Sequence, residues 1–366
     1  MTTATDYRCA AWTRDQGVDP IGTAPTCDTL VLIEVPPPWP RDVNTLPVFA
    51  DILARGLPRT RLLAVRPIAA QPSTKSTVPV TIWRRTDRGR FAGTDYDLPA
   101  EHLADAVRVS LTTAAALDPA AVDSVRAGGN AAAAIDSAAA IDLGNDHSVA
   151  PRPSGPARRV GAPDDALAPP PSDERFAGMN GRPAPAEVLL CGHGIRDKCC
   201  GRLGARLALD VGAGVPGVRV RHCSHTGGHR FAPTGFTMPD GLVWSFLDAD
   251  LLDGIVRHAG APPLRDGHYR GNTALDRWGQ VVERALFERY GWSWLDRRIT
   301  LAHTEIGPGG RTAAVELAWS GGSGPGRARA EVEVVRDIPV LVCGEHPDAA
   351  RKVAPELQLR SLHLGD

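Results

Sequence analysis

The sequence has no apolar run of about 18 residues, the length that reads as a membrane-spanning helix. Its start, Met1-Thr2-Thr3-Ala4-Thr5-Asp6, has neither the basic nor the apolar region of a secretory signal. There is no excess of charge: 41 Lys and Arg stand against 42 Asp and Glu, a net charge of −1. That balance argues against a dedicated nucleic-acid binder, which usually carries a basic domain. The expectation is a cytoplasmic protein that engages neither nucleic acid nor membrane. A Cys-x-x-Cys pair is also missing. The seven cysteines are an odd number, so they do not read as a disulfide framework. In a reducing compartment clustered cysteines more often bind metal or do redox work. Four of the seven, Cys191, Cys199, Cys200 and Cys223, fall in one short region.

The chain has 366 residues, enough for two or three domains at roughly 150 residues each. Its hydrophobic share, 43%, lies slightly below the usual range of about 45–50%. Residues 112 to 185 form the clearest break in the chain. Ala132-Ala133-Ala134, Ala138-Ala139-Ala140 and Pro169-Pro170-Pro171 lie there without sustained helical periodicity. Such a composition cannot bury enough apolar surface to offset its conformational entropy, and a disordered linker is expected.

The two sides of this segment repeat one pattern. Leu30–Val35 reads as a buried strand, 46–56 as a helix and Arg61–Val65 as a second strand. A hairpin over 80–98 and a helix near 99–107 follow. After the segment come a strand at Val188–Leu190, a helix over 201–211 and a strand at Val218–Arg221. A hairpin around Pro239-Asp240-Gly241 and a helix capped by Asp248 complete the unit. A β-α-β unit followed by a hairpin and a helix is the thioredoxin-like plan. The fold class expected is therefore α/β: two thioredoxin-like modules joined by a disordered linker, plus a small C-terminal α/β extension. The boundaries expected are 1–111, 112–185, 186–260 and 261–366. The extension starts with an amphipathic helix over 273–290 and continues with strands at 299–306, 313–319, 329–335 and 339–343. Gly212-x-Gly214-x-x-Gly217 matches a dinucleotide fingerprint in letters only, because it follows a helix and precedes a strand.

Two stretches carry chemistry: Cys191-Gly192-His193-Gly194-Ile195-Arg196-Asp197-Lys198-Cys199-Cys200-Gly201 and His222-Cys223-Ser224-His225-Thr226-Gly227-Gly228-His229. Each follows a strand of one β-α-β unit, so both loops emerge at the same sheet edge and should meet. Cys191, Cys200, His225 and His229 are soft and borderline donors of the kind that hold zinc or an iron–sulfur cluster. Cys200 stands at a helix N-terminus, where the dipole favours a thiolate. Cys223 is expected in the core and Cys343 to be structural. Cys9 and Cys27 are expected to be isolated and without a chemical role, and His193 and His222 are not assigned as ligands.

These stretches resemble the sucrase/ferredoxin-like family, thioredoxin-like ferredoxins with bis-histidinyl ligation. The matching motifs are Cys-Gly-His-Gly-x-Arg-Asp-x-x-Cys-Gly at 191–201 and His-x-Gly-Gly-His at 225–229. The opening Cys9-Ala10-Ala11-Trp12-Thr13-Arg14 and Ile21-Gly22-Thr23-Ala24-Pro25 resemble the start of bacterial members. The resemblance implies a 2Fe–2S cluster held by Cys191, Cys200, His225 and His229, with Cys199 the alternative second thiolate. It implies an electron-transfer protein whose donor and acceptor proteins the sequence does not name. Histidine in place of two thiolates raises a cluster's potential, as in Rieske centres, although there each loop pairs one Cys with one His. The competing readings are a structural Cys2His2 zinc site and a thiol–disulfide oxidoreductase using Cys199-Cys200. A glycosidase, suggested by the family label alone, would need a carboxylate pair in a sugar cleft, and none singles itself out.

Overall fold

The computed structural model describes residues 8–54, 56–68, 76–86, 89–116, 181–211, 217–322 and 324–365. Most of the Ala/Pro-rich segment expected as a linker, residues 117–180, lies outside the described residues. A short helix, α1 (Cys9–Asp15), opens the chain. The first module follows as β1 (Thr29–Glu34), α2 (Pro47–Leu53), β2 (Thr60–Val65), β3 (Thr77–Arg85), β4 (Phe91–Pro99) and α3 (Leu103–Ala116). After the two-residue β5 (Arg182–Pro183), the second module repeats the order. Its elements are β6 (Glu187–Cys191), α4 (Lys198–Val211), β7 (Arg219–Cys223), β8 (Gly235–Met238), β9 (Leu242–Trp244) and α5 (Ala249–Val256).

In each module the first strand is flanked by a parallel and an antiparallel neighbour. This gives the order β4-β3-β1-β2 in one and β9-β8-β6-β7 in the other. Both are the thioredoxin-like arrangement. The two sets join where the last residues of β2 and β7, Val65 and Cys223, pair antiparallel. Ser224 N donates to Ala64 O at 2.7 Å and Arg66 N to His222 O at 2.9 Å across the same join. With β10 (Tyr269–Asn272) and β5 at its edges, the result is one ten-stranded sheet.

The period-2 alternation of the strands decides the layers. Val31, Ile33, Leu62 and Ala64 face α2 and α3, packing on Phe49, Ile52 and Val107. Leu30, Leu32, Leu63 and Val65 face the other way, onto Leu189, Cys223, Phe236, Met238 and Val243 of the second module. Val188, Leu190, Leu242 and Trp244 turn outward to Leu207, Leu252 and Ile255. The two modules thus pack sheet to sheet with helices outside, which is why these strands read as continuous apolar runs. A buried ionic cluster closes the same interface. Glu187 receives Trp83 Nε1 at 3.2 Å and an ion pair from Arg221, while Arg219 grips Asp95 at 2.8 and 3.0 Å.

The C-terminal part begins with α6 (Arg277–Tyr290), capped by Asp276, whose carboxylate accepts from Gly279 N at 2.7 Å. A four-stranded antiparallel sheet follows: β11 (Arg297–Ile306), β12 (Thr312–Gly321), β13 (Gly326–Pro339) and β14 (Val353–Gly365). Helix α6 is wedged between the two sheets, with Val281, Val282, Leu286 and Phe287 in one core with Trp244 and Tyr269 on one side and Val315, Leu317 and Trp319 on the other. The strand expected at 339–343 does not form. Val340 N still pairs with Lys352 O, but beyond it the donors go to side chains: Val342 N donates to Glu345 and Cys343 N to Asp197. The fourth strand is instead Val353–Gly365. Among the described residues no helix is long and apolar enough to cross a membrane.

Candidate metal centre

Strand β6 is buried along its whole length and delivers Cys191 at its C-terminal end, level with Cys223 of β7. The loop 192–197 then returns over that end, and α4 starts at once with Lys198-Cys199-Cys200. The helix can approach because Gly204 faces the strand: a Cβ there would lie 2.0 Å from Cys191 O. Gly201 meets Gly194 in the same way, its Cβ position 2.4 Å from Gly194 Cα. Cys200 Sγ is thereby brought against Cys191. His225, just beyond β7, turns its Nδ1 to both sulfurs, 3.9 Å from Cys191 Sγ and 4.0 Å from Cys200 Sγ. The metal-binding atoms of these three residues lie within 4.8 Å of one another.

Hydrogen bonds hold His225 in place. Its backbone N–H donates to His193 Nδ1 at 3.2 Å, and its carbonyl accepts from Arg61 at 2.9 Å. His193 is buried edge-on against Trp39, 5.7 Å between ring centroids, and burial lowers its pKa. A neutral ring with Nδ1 as acceptor carries its proton on Nε2. The second ring nitrogen of His225, Nε2, is buried without a hydrogen-bond partner.

The pair Gly227-Gly228 is in the left-handed region, φ 86° and 66°. The structure shows that the space a Gly228 Cβ would fill belongs to the Arg270 guanidinium, 2.7 Å away. Arg270 is fully buried and donates to Gly227 O at 3.0 Å and to Thr23 Oγ1 at 3.0 Å. Burial pushes its pKa down to about 9, Arg61 and Arg230 press the same way, and Cys191 and Cys200 oppose the shift. The bonds within the thiol pair favour one thiolate. The hydrogen bond from Cys200 lowers the Cys191 pKa, with His225 adding to it against burial, and the same bond together with burial raises that of Cys200. Arg270 supplies a fixed positive charge beside that anion.

His229 stands next to His225, ring centroids 5.9 Å apart, but is not in the same 4.8 Å group. Its Nδ1 faces Cys9 Sγ at 3.6 Å and Asp197 Oδ2 at 3.5 Å. There a second group assembles from Cys9, Asp197, Cys199 and Cys343. Cys199 and Cys200 are adjacent in sequence and belong to different groups. Cys9 and Cys343, expected to stand alone or to be structural, sit against Cys199, with 3.1 Å between the sulfurs of Cys199 and Cys343 and 3.7 Å between those of Cys9 and Cys343. No spacing in the sequence points to this set. The one local signal is Asp197, a motif residue two positions before Cys199. Cys223 and Cys27 lie in the sheet-to-sheet core.

Fold and site together define an α/β protein of the thioredoxin-like class with a buried thiol–imidazole centre at the ends of two parallel strands. A family model described as sucrase/ferredoxin-like matches residues 20–271, and the chain belongs to that family. No curated protein and no solved structure matches the chain.

Proposed function

We propose that Cys191, Cys200, His225 and His229 hold a 2Fe–2S cluster and that the protein transfers electrons between partner proteins. The observation that carries this reading is the convergence of the two buried thiols on His225 Nδ1, with a second imidazole alongside but outside the group. A single tetrahedral ion gathers four donors within about 4 Å of one another. Three donors in a tight group and a fourth set apart suit a larger, two-iron centre, and the donor types are those of iron–sulfur chemistry. Such a centre takes up and releases one electron. The chain's own groups do the rest. Cys191 supplies the ready thiolate, Arg270 offsets its charge, and His193 and Arg61 fix the His225 backbone. His229 can place its Nδ1 proton towards Asp197, leaving Nε2 as the donor. His225 is the half-exposed member of the set. Partner proteins would approach over the loop beside it, where Ile195 is 54% exposed.

Protein purified without oxygen should contain about two irons and two acid-labile sulfides per chain and absorb in the visible. Cys191→Ser and Cys200→Ser should lose the iron, and Cys199→Ser should keep it. A colourless protein with zinc that Cys200→Ser removes would overturn the reading.

A further inference from the structure

Cys9, Asp197, Cys199 and Cys343 are not ligands of the proposed cluster, yet they converge from three remote segments: the first residue of α1, the start of α4 and the loop after β13. We propose that these four residues form a second, separate metal site, closed and structural, for a thiophilic divalent cation of the zinc type.

The distances fit one ion. With zinc–sulfur bonds of about 2.3 Å and zinc–oxygen bonds of about 2.0 Å, a tetrahedral ion sets two sulfurs about 3.7 Å apart and a sulfur about 3.5 Å from an oxygen. Cys9 Sγ lies 3.7 Å from Cys343 Sγ and 3.5 Å from Asp197 Oδ1, and Cys343 Sγ lies 3.3 Å from the same oxygen. The sulfurs of Cys199 and Cys343, at 3.1 Å, are the tightest edge. Three thiols with one carboxylate select zinc over the hard cations calcium and magnesium, which take oxygen ligands.

Burial points the same way. Cys9, Asp197 and Cys199 are 0%, 5% and 4% exposed. The Asp197 carboxylate meets the His229 ring at 3.5 Å on Oδ2 and thiols on Oδ1, and a charge buried in that setting gains from a cation on the thiol side. Asp197 is already oriented by two backbone donors, Cys199 N at 2.7 Å and Cys343 N at 3.1 Å. The remaining contacts on its Oδ1 are the thiols of Cys9 and Cys343, whose protons a cation would displace. Binding releases one proton from each protonated thiol to solvent, and three thiolates with one carboxylate then surround a doubly charged ion. Four protein donors leave no open position, so the site is a staple and not a reaction centre. It would tie residues 188 and 334 positions apart in sequence. It would also clamp the first turn of α4, from which Cys200 projects toward the other centre.

Metal analysis of the full chain tests this independently of the cluster. The expected content is about one zinc per chain beside the iron. Cys343→Ser, on a half-buried loop, should lose the zinc and keep the iron, while Cys191→Ser should do the reverse. Should the iron reading fail, the zinc should still follow Cys343 and not Cys191. A second measurement needs no variant. Alkylation of the native protein should modify Cys9, Cys199 and Cys343 together, and only after a chelator has removed the zinc. Absence of zinc, or zinc that remains in Cys343→Ser, overturns the proposal. So does a disulfide between Cys199 and Cys343 in the isolated protein, or zinc lost in His229→Ala but kept in Asp197→Ala.

Discussion

The same substitution at two helical glycines should move stability in opposite directions. At Gly204 an added Cβ would lie 2.0 Å from Cys191 O, 3.0 Å from Cys191 C and 3.5 Å from Gly192 Cα. All three are backbone atoms, so no side chain can rotate out of the way. To restore even 3.0 Å, α4 must withdraw from β6 by about 1 Å, a small-to-large change of the kind that costs about 1–3 kcal/mol or more. Alanine returns up to about 1 kcal/mol of helix propensity. Gly204→Ala should therefore destabilise by about 1–2 kcal/mol net. Gly254 in α5 has nothing within 4 Å of its Cβ position. There only the propensity gain remains, and Gly254→Ala should stabilise by about 0.5–1 kcal/mol. Urea unfolding at unchanged m-value measures both. Cys200 stands one turn before Gly204, so Gly204→Ala should also lose iron faster to a chelator. If the two variants shift the midpoint in the same direction, the close approach of α4 to Cys191 is not what holds the site.

Three further expectations concern buried polar groups. Glu187→Ala takes the nearer carboxylate from buried Arg221, leaving it Glu34 at 3.9 Å, and should cost about 3 kcal/mol in urea unfolding; a loss below about 1 kcal/mol would show that Glu34 is enough to pair it. Burial raises the Glu283 pKa from 4.5 to about 7, while Tyr269 and Trp294 donate to it at 2.8 and 2.9 Å. The folded state holds this proton more tightly than the unfolded one, so the stabilisation is complete below pH 4.5 and fades as pH rises through about 7. It amounts to about 3 kcal/mol across that window, and Glu283→Gln should flatten the unfolding midpoint measured from pH 4.5 to 8. His193→Ala leaves the His225 N–H without its acceptor and should cost about 1–3 kcal/mol while speeding iron loss; an unchanged rate would remove His193 from the support of the site.

Local pattern carried the modules and the loop that bears Cys191 and Cys200. Leu30-Val31-Leu32-Ile33 announces a strand buried on both faces, and Asp248 announces a helix start that its side chain does cap; the next helix, expected from 273, starts only after its cap Asp276. What covers those two faces was not legible, because periodicity reports burial and not the partner. The pairing of Val65 with Cys223 depends on the register of two strands more than 150 positions apart. Cys9 and Cys343 illustrate the same limit. Each is a lone cysteine in its own segment, and only the docking of α1 and of the loop after β13 on α4 makes them neighbours of Cys199. Arg270 belongs to no motif, and its place beside Gly228 depends on the docking of a strand more than 40 positions away. In β13 and β14 register shifts between Glu331 and Val332 and between Val334 and Arg336 break the alternation, and the last strand was missed.

The sheet-to-sheet core has a consequence for what counts as the smallest working piece of this protein. In a free-standing thioredoxin-like unit each face of the sheet must find its own cover. Here Leu189, Phe236, Met238 and Val243 of the cysteine-bearing module are covered by Leu30, Leu32, Leu63 and Trp83 of its neighbour. Cut out alone, the second module would present an apolar face to water, the kind of surface that drives association. The first module, which holds none of the proposed cluster's ligands, thus covers the apolar face of the module that holds all four. The two would have to be inherited, expressed and transplanted as a pair.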